Sequence, residues 1–201
     1  MAAQLNKHRM LGSRILIGIV LLAAFLTTPV IPQESFIAGF FRLAGFVLLT
    51  VCAIGRIYST AFIGGIKNKQ LVRVGPYATV RNPLYFYSLL GAAGVGLMSG
   101  QVTCAVILLG GFLFIYDGLI RREEQFLAEK FGSEFADYKA RVPRLLPQIN
   151  QFTAPDELLF QPKFFTFAVW DAIWWFAPVP VFELARHLQH AGIIKPLFAV
   201  F

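Results

Sequence analysis

Five apolar runs, each near the length that crosses a bilayer, limit what this chain can fold into. Residues 14–31, 36–57, 84–98, 102–120 and 164–184 are dominated by Leu, Ile, Val, Ala, Gly and Phe. About 20 such residues in a helix cross a hydrocarbon layer of about 30 Å. Backbone in that layer has to satisfy its own hydrogen bonds, so the expected fold class is all-α: a polytopic helical membrane protein with four to five transmembrane helices. A content of 57% hydrophobic against 14% charged residues agrees with spans and not with a soluble core. The fifth run holds Trp170, Asp171, Trp174, Trp175, Pro178 and Pro180, and reads either as a broken span or as an interfacial helix. One integral membrane domain, 1–201, is expected, embedded in the bilayer. The oligomeric state is not legible.

Charge orients the spans. Lys7, Arg9 and Arg14 precede the first run, and no small-residue cleavage pattern follows it, so it reads as a retained span. The loop after it, 29–35, has no Lys or Arg, whereas Arg56, Lys67, Lys69, Arg73 and Arg81 crowd the segment after the second run. The positive-inside rule then puts the N-terminus and the segment after Arg56 on the cytoplasmic side, with a bacterial inner membrane as the expected location. Arg42, near a span end, is expected to snorkel to the headgroups. The net charge of +7 is explained by these flanking loops, without an aromatic-interleaved basic groove, so nucleic acid is not an expected partner. Cys52 and Cys104 lie inside apolar runs and read as packing residues.

Ser99, Gly100 and Gln101 leave so short a link between the third and fourth runs that the two must form an antiparallel hairpin. Gly91, Ala92, Ala93, Gly94 and Gly96 offer a neighbouring helix a close approach. The hairpin returns the chain at Arg121 to the surface that carries Arg81. From 121 to 140, Phe126, Leu127, Phe131, Phe135 and Tyr138 recur at helical spacing among charges, with a break expected at Gly132 and a stop at Pro143 and Pro147.

Two polar clusters are thereby brought to one face. The stretch 71–85 contains the Gly75-Pro76 turn and then Arg81, Asn82 and Pro83 at the start of a helix, which supplies a guanidinium, an amide and helix N-terminal donors. Glu123 and Glu124 lie on the other element. Such a pocket suits a zwitterion: a carboxylate toward Arg81 and the helix start, an ammonium or sulfonium toward Glu123 or the rings of Tyr77 and Tyr85. The competing explanation is a set of interfacial ion pairs and anchors. Asp117 and Asp171 sit in or near spans, where a carboxylate is by default paired or functional, and Arg121 is a ready partner for Asp117. Glu183, His187 and His190 share a helix face but stand apart from any other ligand cluster, and no metal is expected. Phosphate-loop, dinucleotide, zinc-protease and nucleophile-elbow motifs are not found in the sequence.

The segment GGIKNKQLVRVGPYATVRNPLY, followed by EEQFLAEKFGSEFADYKARVPRLLP, resembles the isoprenylcysteine carboxyl methyltransferases and, more broadly, the membrane phospholipid methyltransferases. The resemblance covers 64–147. It implies an S-adenosylmethionine-dependent enzyme acting on a lipid-borne or prenylated hydrophobic acceptor, with cofactor-binding segments at 64–85 and 121–147. Carried onto this sequence, the cofactor residues are Gln70, Leu71, Val72, Tyr77, Arg81, Asn82, Pro83, Leu84 and Glu123. Where the family has a His after the Arg, Asn82 stands here; it hydrogen-bonds but does not titrate. An amine acceptor needs a base and a carboxylate acceptor does not. Glu124 is the nearby base, and Glu124 and Asn82 are assigned to the catalytic centre. The family's substrate-contacting Arg, one turn before the Glu, is replaced by Leu119, which leaves Arg122 and Tyr85 for the acceptor. Two alternatives remain at this point: an NADPH-dependent sterol-reductase-like enzyme, whose helix would carry Arg-Asp where Glu123 and Glu124 stand, and a non-enzymatic membrane scaffold or transporter.

Overall fold

The computed structural model describes residues 2–67, 69–153, 155–158 and 161–201. The side chains of Lys7, Arg9 and Arg14, and part of the polar loop expected at 153–162, lie outside the described residues. The chain is mostly helical: α1 (Ala2–Leu26), α2 (Phe36–Ile63), the single turn α3 (Pro76–Thr79), α4 (Pro83–Met98), α5 (Val102–Arg141), α6 (Pro162–Trp174) and α7 (Pro178–His190). Three stretches are long and apolar enough to cross a membrane, Phe36–Ile63, Val102–Arg141 and Pro162–His190, which makes this a multi-pass membrane protein. Ile15–Leu26 and Pro83–Met98 are shorter apolar helices.

Several boundaries differ from the sequence reading. The chain is not purely α: the first helix stops at Leu26, and β1 (Thr27–Pro29) pairs in parallel with β2 (Phe198–Val200), Thr27 opposite Phe198 and Pro29 opposite Val200. The second run continues as helix to Ile63, so Arg56 belongs to a helix and not to the loop after it. The fifth run is interrupted at 175–177, just before the prolines that open α7. Within α5, Gly132 takes φ 51° and ψ −123°, the expected break, and the helix stops at Arg141 ahead of Pro143.

The residues form two compact units. The first comprises Met1–Val51, Leu89–Ile115 and Trp174–Phe201. Its helices meet through small residues. A Cβ placed on Gly45 would lie 2.8 Å from the Gly94 carbonyl, and one on Gly94 equally close to the Gly45 carbonyl. Gly96 likewise faces the Ala105 backbone across the α4–α5 hairpin. A neutral polar network ties it together: Gln101 Nε2 donates to Thr27 Oγ1 at 2.8 Å, and Gln189 Nε2 donates to the carbonyls of Ala24 and Thr27 at 3.0 Å, closing the exposed end of α1. Arg42 donates to Gln33 Oε1 and to the Gln33 carbonyl, each at 3.1 Å. Cys52 and Cys104 are buried and unbridged, as expected of packing residues. The second unit, Cys52–Ser88 with Tyr116–Ile173, holds both polar clusters.

Candidate active site

Local backbone rules set the Arg81 loop. Gly75 has φ 61°, a conformation that side-chain-bearing residues rarely adopt, and a Cβ there would run into the Phe62 ring. Pro76 follows as the first residue of α3, and its fixed φ suits that position. The loop is stitched to the segment after α5: Gly75 N donates to Thr153 O at 2.7 Å, Arg81 N to Pro143 O at 2.9 Å, and Gln148 N to Thr79 O at 2.9 Å. The Asn82 carbonyl receives the Tyr85 and Phe86 amides as α4 begins, with Pro83 at its first position.

The two sequence clusters meet. Arg81 Nε donates to Glu124 Oε1 at 3.0 Å, and Asn82 Nδ2 donates to the same oxygen at 3.2 Å. Arg81 Nη1 also reaches the carbonyls of Lys139 (2.9 Å) and Val142 (2.6 Å), while Asn82 Nδ2 reaches that of Arg144 (3.1 Å). The side chains of Arg81 and Glu124 are only 9% and 12% exposed, so this pair is a buried lock joining α4 to α5. Glu123 is held differently. The Tyr85 hydroxyl donates to its Oε2 at 3.1 Å, and Lys67 Nζ meets its Oε1 at 2.9 Å, with the lysine 46% exposed.

Tyr77 lies beneath these groups. Its backbone carbonyl accepts the Tyr138 hydroxyl at 2.7 Å, but its own Oη is buried and has no hydrogen-bond partner among the described residues. Burial first, and the Glu123 carboxylate next, push the Tyr77 hydroxyl well above the usual phenol range, so it is a donor at any ordinary pH. A buried hydroxyl left unsatisfied costs about 1–3 kcal/mol, which calls for a compensating role such as ligand contact.

The remaining site candidates from the sequence fall as follows. Leu71 packs on the Phe135, Tyr138 and Val142 core together with Leu127 and Phe131. Val72 is half-buried, Gln70 is exposed, and Arg122 is exposed with no hydrogen bond to the cluster among the described residues. The Leu84 carbonyl accepts Arg56 Nη1 at 3.2 Å. Arg56 was not singled out from the sequence; from within α2 it pairs with Asp171, donating Nε to Oδ2 at 3.0 Å, and also bonds Ser88. The signal was available, because an aspartate in an apolar run requires a partner and Arg56 is a basic residue bordering another such run. Lys67, Tyr138 and Arg144 were likewise missed. Arg144 joins Arg121 on Asp117, each at 2.7 Å. Among the described residues no three His, Cys, Asp or Glu side chains gather as a metal-ion site.

Comparison with known proteins addresses the family. Residues 35–134, from the start of α2 through most of α5, match phospholipid methyltransferase. The chain is also 31% identical over 188 residues to the nickel-cobalt-cadmium resistance protein NccN of Alcaligenes xylosoxydans xylosoxydans, covering 92% of this chain and 87% of that one. It belongs to the phospholipid methyltransferase family. A second relative of this membrane methyltransferase family member, the cobalt-zinc-cadmium resistance protein CzcN of Cupriavidus metallidurans, is 28% identical over 191 residues, 95% of this chain and 88% of its own. No solved structure matches the chain. The family match includes Arg81, Asn82, Glu123 and Glu124 and ends before Tyr138 and Arg144, which the fold adds to the cluster.

Proposed function

We propose that this phospholipid methyltransferase family member is an S-adenosylmethionine-dependent methyltransferase acting on a lipid-borne acceptor at the cytoplasmic face of a bacterial inner membrane. The observation that carries the reading is Glu123: a carboxylate held by Tyr85 and paired with an exposed lysine, near the Tyr77 hydroxyl, which has no partner among the described residues. This donor set fits a zwitterionic sulfonium ligand, because Glu123 attracts a cation and Tyr77 Oη offers a buried donor. When bound, the cofactor supplies an electrophilic methyl group. The chain's own work is to align and desolvate the acceptor, and that can contribute about 7–11 kcal/mol when geometry is ideal.

Glu124, Arg81 and Asn82 position the loop. Glu124 Oε1 is occupied by both Arg81 and Asn82, so proton abstraction by Glu124 requires that lock to open. This favours an acceptor that is already nucleophilic at neutral pH, such as a carboxylate, over an amine. The Arg56–Asp171 pair fixes the start of α4 from within the spans. If the short apolar helices Ile15–Leu26 and Pro83–Met98 cross as well as the three long stretches, the chain has five spans. The names of the two relatives suggest that the modified lipid matters under divalent-metal stress.

Titration calorimetry of the purified protein with S-adenosylmethionine and with NADPH tests the reading. S-adenosylmethionine should bind, NADPH should not, and Glu123→Gln should abolish binding. An unchanged affinity in Glu123→Gln would sink the assignment of that residue. Methylation of extracted lipids with labelled cofactor, followed across pH, then separates the acceptors. A rate that climbs with pH marks an amine, and a flat one a carboxylate.

A further inference from the structure

We propose that Lys67 is a second pole of the cofactor site, receiving the α-carboxylate of the amino-acid portion while Glu123 receives its ammonium; this rests on the reading above. From sequence the carboxylate pole falls on Arg81, but that guanidinium is already committed. Its Nε serves Glu124 and its Nη1 serves the Lys139 and Val142 carbonyls, at 9% side-chain exposure. Lys67 is the cation that meets Glu123, at 2.9 Å, and both partners are solvent-accessible, 46% and 24% exposed. Exposed ion pairs are weak and open readily. The Tyr85 hydroxyl keeps Oε2 in place, so when the pair opens it is Oε1 that becomes available while the carboxylate stays oriented.

The charges also match. An α-amino acid presents an ammonium and a carboxylate next to each other, and a Lys–Glu pair in contact is the complementary arrangement: inserting the zwitterion replaces one ion pair by two without leaving a charge unpaired. Lys67 follows Gly64 and Gly65 on the turn that closes α2. Its amide is bound to Ile63 O at 2.9 Å, so the base of the side chain is anchored while its four-carbon stem is free to swing.

The test uses the full chain in detergent and two ligands, S-adenosylmethionine and its decarboxylated form, with wild type, Lys67→Gln and Lys67→Arg. Lys67→Gln should weaken S-adenosylmethionine binding about tenfold, leave the decarboxylated ligand within about twofold, and be largely rescued by Lys67→Arg. Wild-type binding that tightens or stays the same in Lys67→Gln, or falls equally for both ligands, overturns the role of Lys67 and leaves the methyltransferase reading in place. If neither ligand binds wild type or either variant, that reading falls and the assignment of Lys67 falls with it.

Discussion

Two polar clusters, one in each unit, are built in opposite ways. In the first, the neutral side chains of Thr27, Gln101 and half-buried Gln189 are matched donor to acceptor, and they close a helix end. In the second, charged groups predominate, one carboxylate pairs with an exposed lysine, and the Tyr77 hydroxyl has no partner among the described residues. A satisfied neutral network is what a membrane protein needs for its own backbone. A charged cluster with unused bonding capacity carries a cost that stability alone does not explain, and ligand binding, as proposed above, would offset it.

Substitutions can break or sharpen this contrast. The largest effect is expected from Arg81→Met, which strands the buried Glu124 carboxylate: a loss of about 3–5 kcal/mol in unfolding free energy in detergent, with cofactor binding lost as well. Removing Glu124 too, as Arg81→Met with Glu124→Gln, should restore much of the stability and none of the binding. In the first unit, Gln101→Leu removes the donor to Thr27 Oγ1, which keeps its own bond to the Ala23 carbonyl, and should cost about 0.5–1.5 kcal/mol by the same assay, while cofactor affinity stays at the wild-type value. A matching drop in affinity would erase the distinction between the units. Tyr77→Phe should raise stability by about 1–3 kcal/mol, since the buried hydroxyl it deletes has no partner among the described residues, yet weaken S-adenosylmethionine binding several-fold. The smallest effect is on pH dependence. The folded-state pKa of Tyr77 lies above its unfolded value, so its contribution is fully present below about pH 10 and is lost as pH rises further. Thermal unfolding midpoints should therefore decline more steeply above about pH 10 in wild type than in Tyr77→Phe.

Periodicity alone was enough for much of the fold. The hairpin link at Ser99–Gln101 stands between Met98 and Val102, Gly132 interrupts α5, and the helix ends before Pro143, because these features depend on residues adjacent in sequence. The meeting of Arg81 and Asn82 with Glu124, and of Tyr85 with Glu123, followed from topology: a hairpin returns its ends to one surface. Arg56 was misplaced because its partner is remote: it was put in a loop and is a helical residue bonded to Asp171, 115 positions away.

By itself, then, the sequence determined that the chain crosses a membrane repeatedly, which family's motifs it carries, and which two polar segments meet, since apolar run length, glycine, proline and motif order are local quantities. Only the tertiary structure decided how the adjacent glutamates differ. Neighbouring positions on a helix point about 100° apart, so Glu124 meets Arg81 and Asn82 in a buried lock while Glu123 meets Tyr85 and the exposed Lys67. Partner geometry, and not residue type, determines which carboxylate is locked in a buried pair and which stays partly open to solvent.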